Sequence, residues 1–313
     1  MVPPSVLCVL AALTTILGFP WLAPGSVPSG PPTPWNYVAL GDSYTSGPFI
    51  PDQVGTPTLC LRSDHNYPSL AARANRVHSF SDASCQGATI DDMSGSQNIT
   101  LLGYGPALER DMPQLDALSP TTTLVTVGIG GNDAGLFQAG VTCAEMSVDD
   151  PFGSPCRAHF TAGGTDQLAQ AVAATAPKLA ALVREIHRRS PQALVFLVGY
   201  PDIFPTSGSG CYPILPIASG DIGYLNGLVL KLNRMIADQA QANGAFFVDT
   251  YTSSIGHDAC QLPGTKWVEG AIPTSLASPV HPNALGMVNV ARQFQTALNL
   301  ATGQADPTQS SGR

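Results

Sequence analysis

The stretch Tyr37-Val-Ala-Leu-Gly-Asp-Ser-Tyr-Thr-Ser-Gly47 joins a short apolar run to a polar turn. An apolar run of this length that ends at a glycine is typical of a buried strand in a parallel sheet. The turn Gly41-Asp42-Ser43 then lies at the carboxyl end of that strand, where open α/β sheets bind their ligands. The stretch therefore predicts both a fold class and the place of a functional site.

Further apolar or β-branched runs follow and are separated by helical or loop-rich segments. The predicted strands are Tyr37–Leu40, Val77–Ser81, Leu124–Ile129, Ala193–Val198 and Ala245–Val248. The spacing of apolar residues predicts helices over Leu168–Arg189, Ile222–Asn243 and Pro282–Leu300, and a shorter one over Tyr67–Arg76. Strands that alternate with helices predict an α/β fold with a five-stranded parallel sheet and helices on both faces.

The N-terminal segment is typical of an export signal. An apolar run from Val6 to Leu22 precedes the small residues Ala23 and Gly25, which suit signal-peptidase cleavage near Gly25. We therefore expect residues 1–25 to be a signal peptide, 26–34 a proline-rich linker, 35–300 the folded domain and 301–313 a disordered tail. Because no Lys or Arg precedes the apolar run, an uncleaved membrane anchor is the alternative.

The cysteine count agrees with export. Loss of Cys8 with the leader would leave six cysteines, and an even number in an exported chain favours a disulfide framework. The simplest of the roughly fifteen possible arrangements pairs neighbours in sequence: Cys60–Cys85, Cys143–Cys156 and Cys211–Cys260. The spacing typical of zinc sites is missing, so we expect no metal site and a secreted or cell-envelope location.

Charge and motif searches exclude several function classes. Only 12% of residues are charged and the formal net charge is -8, which argues against nucleic acid or another anionic polymer as a partner. The segment Gly128-Ile-Gly130-Gly131 is not a dinucleotide-binding motif, because Asp133 replaces its last glycine and the βαβ context is missing. The sequence has no Gly-x-Ser-x-Gly motif, which disfavours hydrolases with a nucleophile elbow.

Other candidate site residues follow further predicted strands and lie at the same edge of the sheet. Gly87 follows the second strand, Asn132 follows the third, and His281 precedes the last helix. Ser43 becomes a nucleophile only when a base accepts its proton, and His281 is the candidate base. The N–H groups of Ser43 and Gly87 and the amide of Asn132 are suited to bind an oxyanion. Each motif alone is common in turns, but their order and placement together predict acyl transfer.

In these residues the chain resembles the SGNH, or GDSL, hydrolases over about Trp35 to Leu300. The resemblance lies in GDSYTSG with the nucleophile Ser43, in Gly87, in GGND with the oxyanion amide of Asn132, and in His281. The stretches VGYPDIFP (198–205) and GHDAC (256–260), with the six cysteines, are similar to the extracellular actinobacterial esterases and lipases of this family. The resemblance implies a flavodoxin-like three-layer fold, three disulfides and no cofactor.

One position departs from the pattern of the family. Many members carry an aspartate three residues before the histidine, where this chain has Ser278. We therefore expect a serine–histidine dyad in which a main-chain carbonyl near Ser278 or Pro279, first of all that of Ser278, accepts the Nδ1 proton of His281. A distant acid, Glu269 or Asp258, is the alternative.

The predicted loops after the strands carry many apolar and few cationic residues, which favours an acyl chain over a phosphate or a charged sugar. These apolar residues are Phe49, Ile50, Leu101, Leu102, Tyr104, Phe137, Tyr212, Ile214 and Leu215. We expect a secreted, monomeric serine esterase or lipase that forms an acyl-enzyme and contacts lipid surfaces transiently. A polysaccharide deacetylase, a phospholipase and an exported binding protein without activity are the alternatives.

Overall fold

The computed structural model describes residues 35–101, 104–208 and 210–304, and the side chains of Leu101 and Tyr104 are not described. The predicted signal peptide, the linker and the tail after residue 304 lie outside these residues. The strands are β1 (Asn36–Gly41), β2 (Gln53–Val54), β3 (Arg62–Ser63), β4 (Ser79–Asp82), β5 (Gln97–Leu101), β6 (Tyr104–Asp111), β7 (Leu124–Gly128), β8 (Leu194–Val198) and β9 (Phe246–Val248).

The α-helices vary from one turn to more than twenty residues. They are α1 (Ser43–Ser46), α2 (Tyr67–Ala74), α3 (Asp91–Ser94), α4 (Leu136–Ser147), α5 (Pro155–Thr161), α6 (Gln167–Arg189), α7 (Ile222–Ala242) and α8 (Ala284–Thr302). Short 3₁₀ turns cover Thr58–Cys60, Gln114–Ala117, Ser219–Asp221 and Thr252–Ser254. In the described part of the chain, no helix is both long and apolar enough to cross a membrane.

A parallel sheet with the strand order β4-β1-β7-β8-β9 forms the centre of the fold. Counting only the strands of this sheet, the order is 2-1-3-4-5, which is the flavodoxin-like order. The α/β prediction is therefore confirmed, and each of the five predicted strands is present with its ends shifted by at most two residues. The strand order reverses between β1 and β7, and a crevice opens at such a point beyond the carboxyl ends of the strands.

Side chains alternate between the two faces of the sheet and meet a helical layer on each side. Val38 and Leu40 of β1 belong to the core cluster that α6 and α7 cover. Tyr37 and Ala39 point to the opposite face and pack in the cluster that α2 and α8 cover. This alternation, with both faces buried, gives the three-layer arrangement and explains why the strands read as continuous apolar runs.

The segments interpreted as loops contain more structure than the sequence analysis assigns to them. β2 pairs with β3 and β5 pairs with β6 in two antiparallel hairpins, and α4 and α5 occupy the segment after β7 that the sequence analysis treats as a loop carrying Phe137. These elements are short or largely exposed, so their residues carry little apolar periodicity. The interpretation of these segments as loops was wrong.

Disulfides tie these peripheral segments to the fold. The structure contains the pairs Cys60–Cys85, Cys143–Cys156 and Cys211–Cys260. The second pair joins α4 to α5, and the third joins two loops that are 49 residues apart in sequence. Because a cross-link restricts the unfolded chain more strongly when it closes a longer loop, the third pair constrains the unfolded state most.

Candidate active site

Ser43 is the first residue of α1 and follows β1 after a sharp turn. The turn requires glycine at position 41, where φ is +154° and a Cβ would lie 2.6 Å from the carbonyl oxygen of Gly128. Asp42 caps the short helix, because its Oδ1 accepts a hydrogen bond from the N–H of Tyr44 at 2.8 Å. The local sequence thus presents the Ser43 hydroxyl at the edge of the sheet where the strand order reverses.

His281 lies within hydrogen-bond distance of Ser43. Its Nε2 is 2.7 Å from Oγ of Ser43, and its Nδ1 is 2.7 Å from the carbonyl oxygen of Pro279. Since a carbonyl can only accept, the Nδ1 carries the proton and the Nε2 of the neutral ring is free to accept one from Ser43. Burial of the imidazole lowers the pKa of His281, and the hydrogen bond to Pro279 opposes that shift. The ring is therefore prepared to act as a base.

The carbonyl that orients His281 is that of Pro279, not that of Ser278. The Ser278 carbonyl accepts the main-chain N–H of His281 at 3.3 Å and so closes a four-residue turn. Val280 is the third residue of this turn, and its φ of +58° is typical of a type II turn. In such a turn the central carbonyl points away from the closing hydrogen bond, which directs the Pro279 oxygen towards the imidazole. Of the two main-chain carbonyls that the sequence analysis names, the structure therefore pairs that of Pro279, and not that of Ser278, with the imidazole.

Tyr44 braces the turn that carries His281. Its hydroxyl donates to the carbonyl oxygen of Val280 at 2.7 Å, and its ring lies 4.8 Å from the imidazole, centroid to centroid. The sequence analysis did not identify this residue, although it belongs to the GDSYTSG motif. Its position directly after the nucleophile was the available signal.

The two alternative acids have other partners. The carboxylate of Glu269 binds Lys266 at 2.9 Å and Asn283 at 2.8 Å, and that of Asp258 accepts the N–H of Cys260. Burial acts to raise the pKa of Glu269, but its hydrogen bonds, led by that from Asn283, outweigh this effect and lower the pKa to about 2. Among the described residues, neither carboxylate forms a hydrogen bond with the imidazole of His281.

The groups predicted to bind an oxyanion belong to Ser43, Gly87 and Asn132, and these residues line one cavity together with His281. Gly87 has a φ of +74°, which favours glycine, and a Cβ there would have only Gln97 within 4 Å. The amide of Asn132 is oriented by a 2.9 Å hydrogen bond to the carbonyl of Ala88. Within the described residues, the N–H groups of Ser43 and Gly87 donate to no protein acceptor. They are therefore available to a ligand.

A buried hydrogen-bond network links the nucleophile turn to the loop after β7. Oδ2 of Asp42 accepts from the hydroxyl of Tyr200 at 2.5 Å, and that hydroxyl accepts the N–H of Gly131 at 2.9 Å. Desolvation raises the pKa of Asp42 to about 7, although the hydrogen bonds from Tyr200 and Tyr44 act to lower it. Sequence reasoning assigned no role to Tyr200, although this residue lies in the VGYPDIFP stretch just beyond the carboxyl end of β8.

Behind the polar groups lies an apolar cavity of about 410 Å³. Helix α7 forms one wall with Leu225, Leu228, Val229 and Leu232, which share one helix face because they are three or four residues apart. Helix α4 contributes further lining residues, among them Gly140. An apolar space beside a nucleophile suits an alkyl chain.

The predicted apolar wall residues are found in several environments. Phe137 and Leu215 line the cavity, Ile50 is buried in the core under α2 and α8, and Phe49, Tyr212 and Ile214 are exposed. Leu102 and the side chains of Leu101 and Tyr104 lie outside the described part of the structure. The helices α4 and α7 supply a further part of the apolar wall, and the loop after β8 supplies Ile203, Phe204 and Ile217.

Known proteins resemble this chain over most of its length. Residues 39–288 match the model of the GDSL-like Lipase/Acylhydrolase family. The chain is 36% identical to Lipase 2 of Streptomyces coelicolor over 295 residues, which are 93% of this chain and 95% of that protein. Its structure resembles phospholipase A1 from Streptomyces albidoflavus NA297 and the extracellular lipase of Streptomyces rimosus. Each comparison gives a TM-score of 0.67 and 27% identity, and covers 83% of this chain and 98% of the other.

Proposed function

Because the chain belongs to the GDSL-like lipase/acylhydrolase family, we propose that it hydrolyses acyl esters through a Ser43–His281 dyad and an acyl-enzyme intermediate. The family and its named relatives make the chain a carboxylic ester hydrolase that acts on esters or lipids. The observation that carries the dyad is the 2.7 Å contact from Oγ of Ser43 to Nε2 of an imidazole whose other nitrogen donates to a carbonyl.

The chemistry takes place in two steps. His281 accepts the hydroxyl proton of Ser43 while Oγ attacks the ester carbonyl carbon, and the imidazolium then protonates the departing alcohol. Water enters, gives its proton to His281 and attacks the acyl group, and Ser43 recovers its proton as the acid leaves. In both steps the N–H groups of Ser43 and Gly87 and the amide of Asn132 stabilise the oxyanion.

The Pro279 carbonyl takes the place that a carboxylate has in a triad. It fixes the tautomer of His281 and keeps Nε2 directed at Ser43. As a neutral dipole it stabilises the imidazolium less than a carboxylate would, since hydrogen bonds to charged groups are about twice as strong. Catalysis therefore depends on the turn that positions this carbonyl, and the hydrogen bond from Tyr44 to Val280 stabilises that turn.

The size of the cavity favours a substrate whose acyl chain is longer than acetyl. An acetyl group would occupy a small part of about 410 Å³ and leave the apolar face of α7 without contacts. This argues against the polysaccharide deacetylase. A glycerophospholipid is the second candidate substrate, because the structural relative from Streptomyces albidoflavus is a phospholipase A1.

We also propose that the chain is secreted and acts as a monomer. The apolar leader and the three disulfides support export, since such cross-links persist in oxidising compartments. One relative of similar structure is an extracellular lipase.

Hydrolysis of p-nitrophenyl esters of increasing acyl length tests the proposed function. We expect turnover to rise beyond the acetyl ester, and Ser43→Ala to lose activity by a factor on the order of 10⁴ or more. An intact, oxidised protein that hydrolyses none of these esters, or a Ser43→Ala variant that keeps its turnover, would contradict it.

A further inference from the structure

Exposed apolar side chains lie in the chain segments that line the catalytic cavity. They are Phe49 (37% exposed), Phe137 (47%), Ile214 (52%), Ile272 (75%) and Leu276 (69%), and we call them the mouth patch. Phe137 itself lines the cavity, and Pro48, Leu215 and Ala271, which also line it, are chain neighbours of three others. Leu276 stands two residues before Ser278, another lining residue.

Hydrogen bonds hold the segments of the mouth patch together. The N–H of Ala271 donates to the carbonyl of Ile214 at 3.1 Å, and the N–H of Ser278 donates to the carbonyl of Pro48 at 3.0 Å. These two bonds join the chain segments that carry Ile214, Ile272, Leu276 and Phe49. The apolar side chains therefore project from one connected rim rather than from independent loops.

The segments that form this rim contain no Asp, Glu, Lys or Arg. The four charge-free stretches are residues 43–51, 134–144, 203–220 and 270–280. Large apolar side chains on a soluble protein are normally scattered among charges, and a continuous apolar area marks a binding surface. The rim therefore lacks the charged groups that would favour its exposure to water.

We propose that the mouth patch docks on the surface of a neutral or zwitterionic lipid aggregate, from which one acyl chain enters the cavity. This inference rests on the proposed function, because a substrate with an acyl chain connects the cavity to its surroundings. Because the patch residues adjoin cavity-lining residues in the chain, a lipid surface that supplies an acyl chain to the cavity would contact the patch. The formal net charge of -8 and the absence of Lys and Arg from the four rim stretches disfavour an anionic lipid surface.

Vesicle co-sedimentation tests the proposal directly. The full oxidised chain carries Ser43→Ala so that it does not consume the lipid, and the vesicles consist of phosphatidylcholine with or without phosphatidylglycerol. The test variant combines Ile272→Ser with Leu276→Ser. The matched control is Leu300→Ser, because Leu300 is 79% exposed and sits 16 residues into α8, about 24 Å along the helix from its start near His281.

We expect the double variant to bind phosphatidylcholine vesicles about a hundredfold more weakly, since burial of one such side chain contributes about a factor of ten. Leu300→Ser should bind like the parent. Added salt and phosphatidylglycerol should not strengthen binding, because the patch carries no charge. With Ser43 intact, both variants should hydrolyse soluble p-nitrophenyl butyrate at the parental rate.

Three results would overturn the docking proposal. The first is parental vesicle binding by the double variant. The second is binding that requires phosphatidylglycerol and disappears in salt, which would indicate an electrostatic surface. The third is a parent that does not co-sediment with phosphatidylcholine vesicles but forms a dimer in size-exclusion chromatography that the double variant loses, which would assign the patch to a second copy of the chain. Failure of the proposed function itself would be distinct, because the parent would then not hydrolyse soluble esters.

Discussion

Val280 has a backbone conformation that is uncommon for a β-branched residue, and the active-site geometry depends on it. A positive φ at such a residue costs about 1–3 kcal/mol and persists only where the surroundings hold it. Here the Tyr44 hydroxyl binds the Val280 carbonyl, and the Val280 N–H donates to Gly270. The strained turn directs the Pro279 carbonyl at the imidazole, so a main-chain group lies where the carboxylate of a catalytic triad would lie.

Tyr44→Phe should lower kcat without much change in KM. The substitution keeps the ring beside His281 but removes the hydroxyl that braces Val280, so the imidazole is held less firmly. Loss of one neutral hydrogen bond is worth about 1 kcal/mol, which corresponds to about a fivefold loss of kcat. Steady-state kinetics on a short soluble ester measure both constants.

Ser278→Ala is the matched control for Tyr44→Phe. Ser278 takes part in the turn through its main chain, so removal of its hydroxyl should leave most of the activity. A loss comparable with that of His281→Ala would show that the Ser278 side chain is needed. Unchanged kinetics of Tyr44→Phe would show that the Tyr44 hydroxyl does not help to position His281.

The pH profile reports on the burial of His281. Only the neutral imidazole accepts the proton of Ser43, so activity falls when the ring becomes protonated. Because burial lowers the pKa of His281 below its ordinary 6.5, the enzyme should retain activity at mildly acidic pH. The acid limb of kcat/KM on a soluble ester measures this pKa. An apparent value above 6.5 would contradict the account.

At the level of elements, the sequence predicts which residues are buried, but it does not predict whether a buried face packs against a core or lines a cavity. The strands are identified because both faces of the sheet are covered, which produces continuous apolar runs such as Tyr37–Leu40. The apolar stripe of α7 predicts the helix, but a stripe that faces a cavity has the same periodicity as one that packs in a core. For this reason the acyl site was placed in loops instead of against α7.

The site residues divide in a similar way. Ser43, Gly87, Asn132 and His281 are identified from short motifs at strand ends, and the structure places all four around one cavity. The orientation of the Pro279 carbonyl depends on the backbone angles of one turn. Because every residue has a main-chain carbonyl, the sequence does not reveal which of them contacts the imidazole.

Gly140→Leu should shorten the acyl chains that the enzyme accepts. Gly140 lies in α4 and lines the cavity, and a Cβ built on it meets nothing within 4 Å, so the new side chain has room to enter the cavity. Turnover of long p-nitrophenyl esters should fall by about tenfold or more relative to that of the butyrate, as expected for a blocked apolar contact.

Gly227→Leu in α7 controls for the change in helix propensity. Its Cβ also meets nothing within 4 Å, but Gly227 does not line the cavity. This variant should keep the parental preference for chain length. If Gly140→Leu also keeps it, the cavity does not hold the acyl chain.

At the scale of the whole molecule, the site depends on how the parallel sheet gathers its strand ends. Ser43 follows β1, Gly87 comes after β4, Asn132 follows β7 and Tyr200 follows β8, so neighbouring strands deliver their residues to one edge. His281 arrives from the long connection between β9 and α8. The buried pair of Lys266 and Glu269 helps to hold this connection, together with the Cys211–Cys260 disulfide and the short turn Thr252–Ser254.

Glu269→Gln should reduce global stability at neutral pH, yet spare the chemistry. The folded state lowers the pKa of Glu269 from 4.5 to about 2, so the ionised form contributes stability above pH 4.5 that is lost as the pH falls through about 2. The loss at pH 7 should be about 3 kcal/mol, because the substitution also leaves Lys266 unpaired in the interior.

Urea unfolding at pH 7 and pH 3 measures this contribution, and the difference between parent and variant should shrink at the lower pH. Below the unfolding temperature, the variant should retain most of the parental kcat. A loss of kcat comparable with that of His281→Ala would instead make Glu269 the acid of a triad.

Covalent labelling with a p-nitrophenyl alkylphosphonate tests the central claim most directly, because the reagent traps an activated serine and peptide mass mapping locates it. We predict one phosphonyl group per chain, on Ser43, and labelling that slows by a factor on the order of 10³ in His281→Ala. A label on another residue, or a Ser43→Ala chain that reacts at the parental rate, would contradict the account.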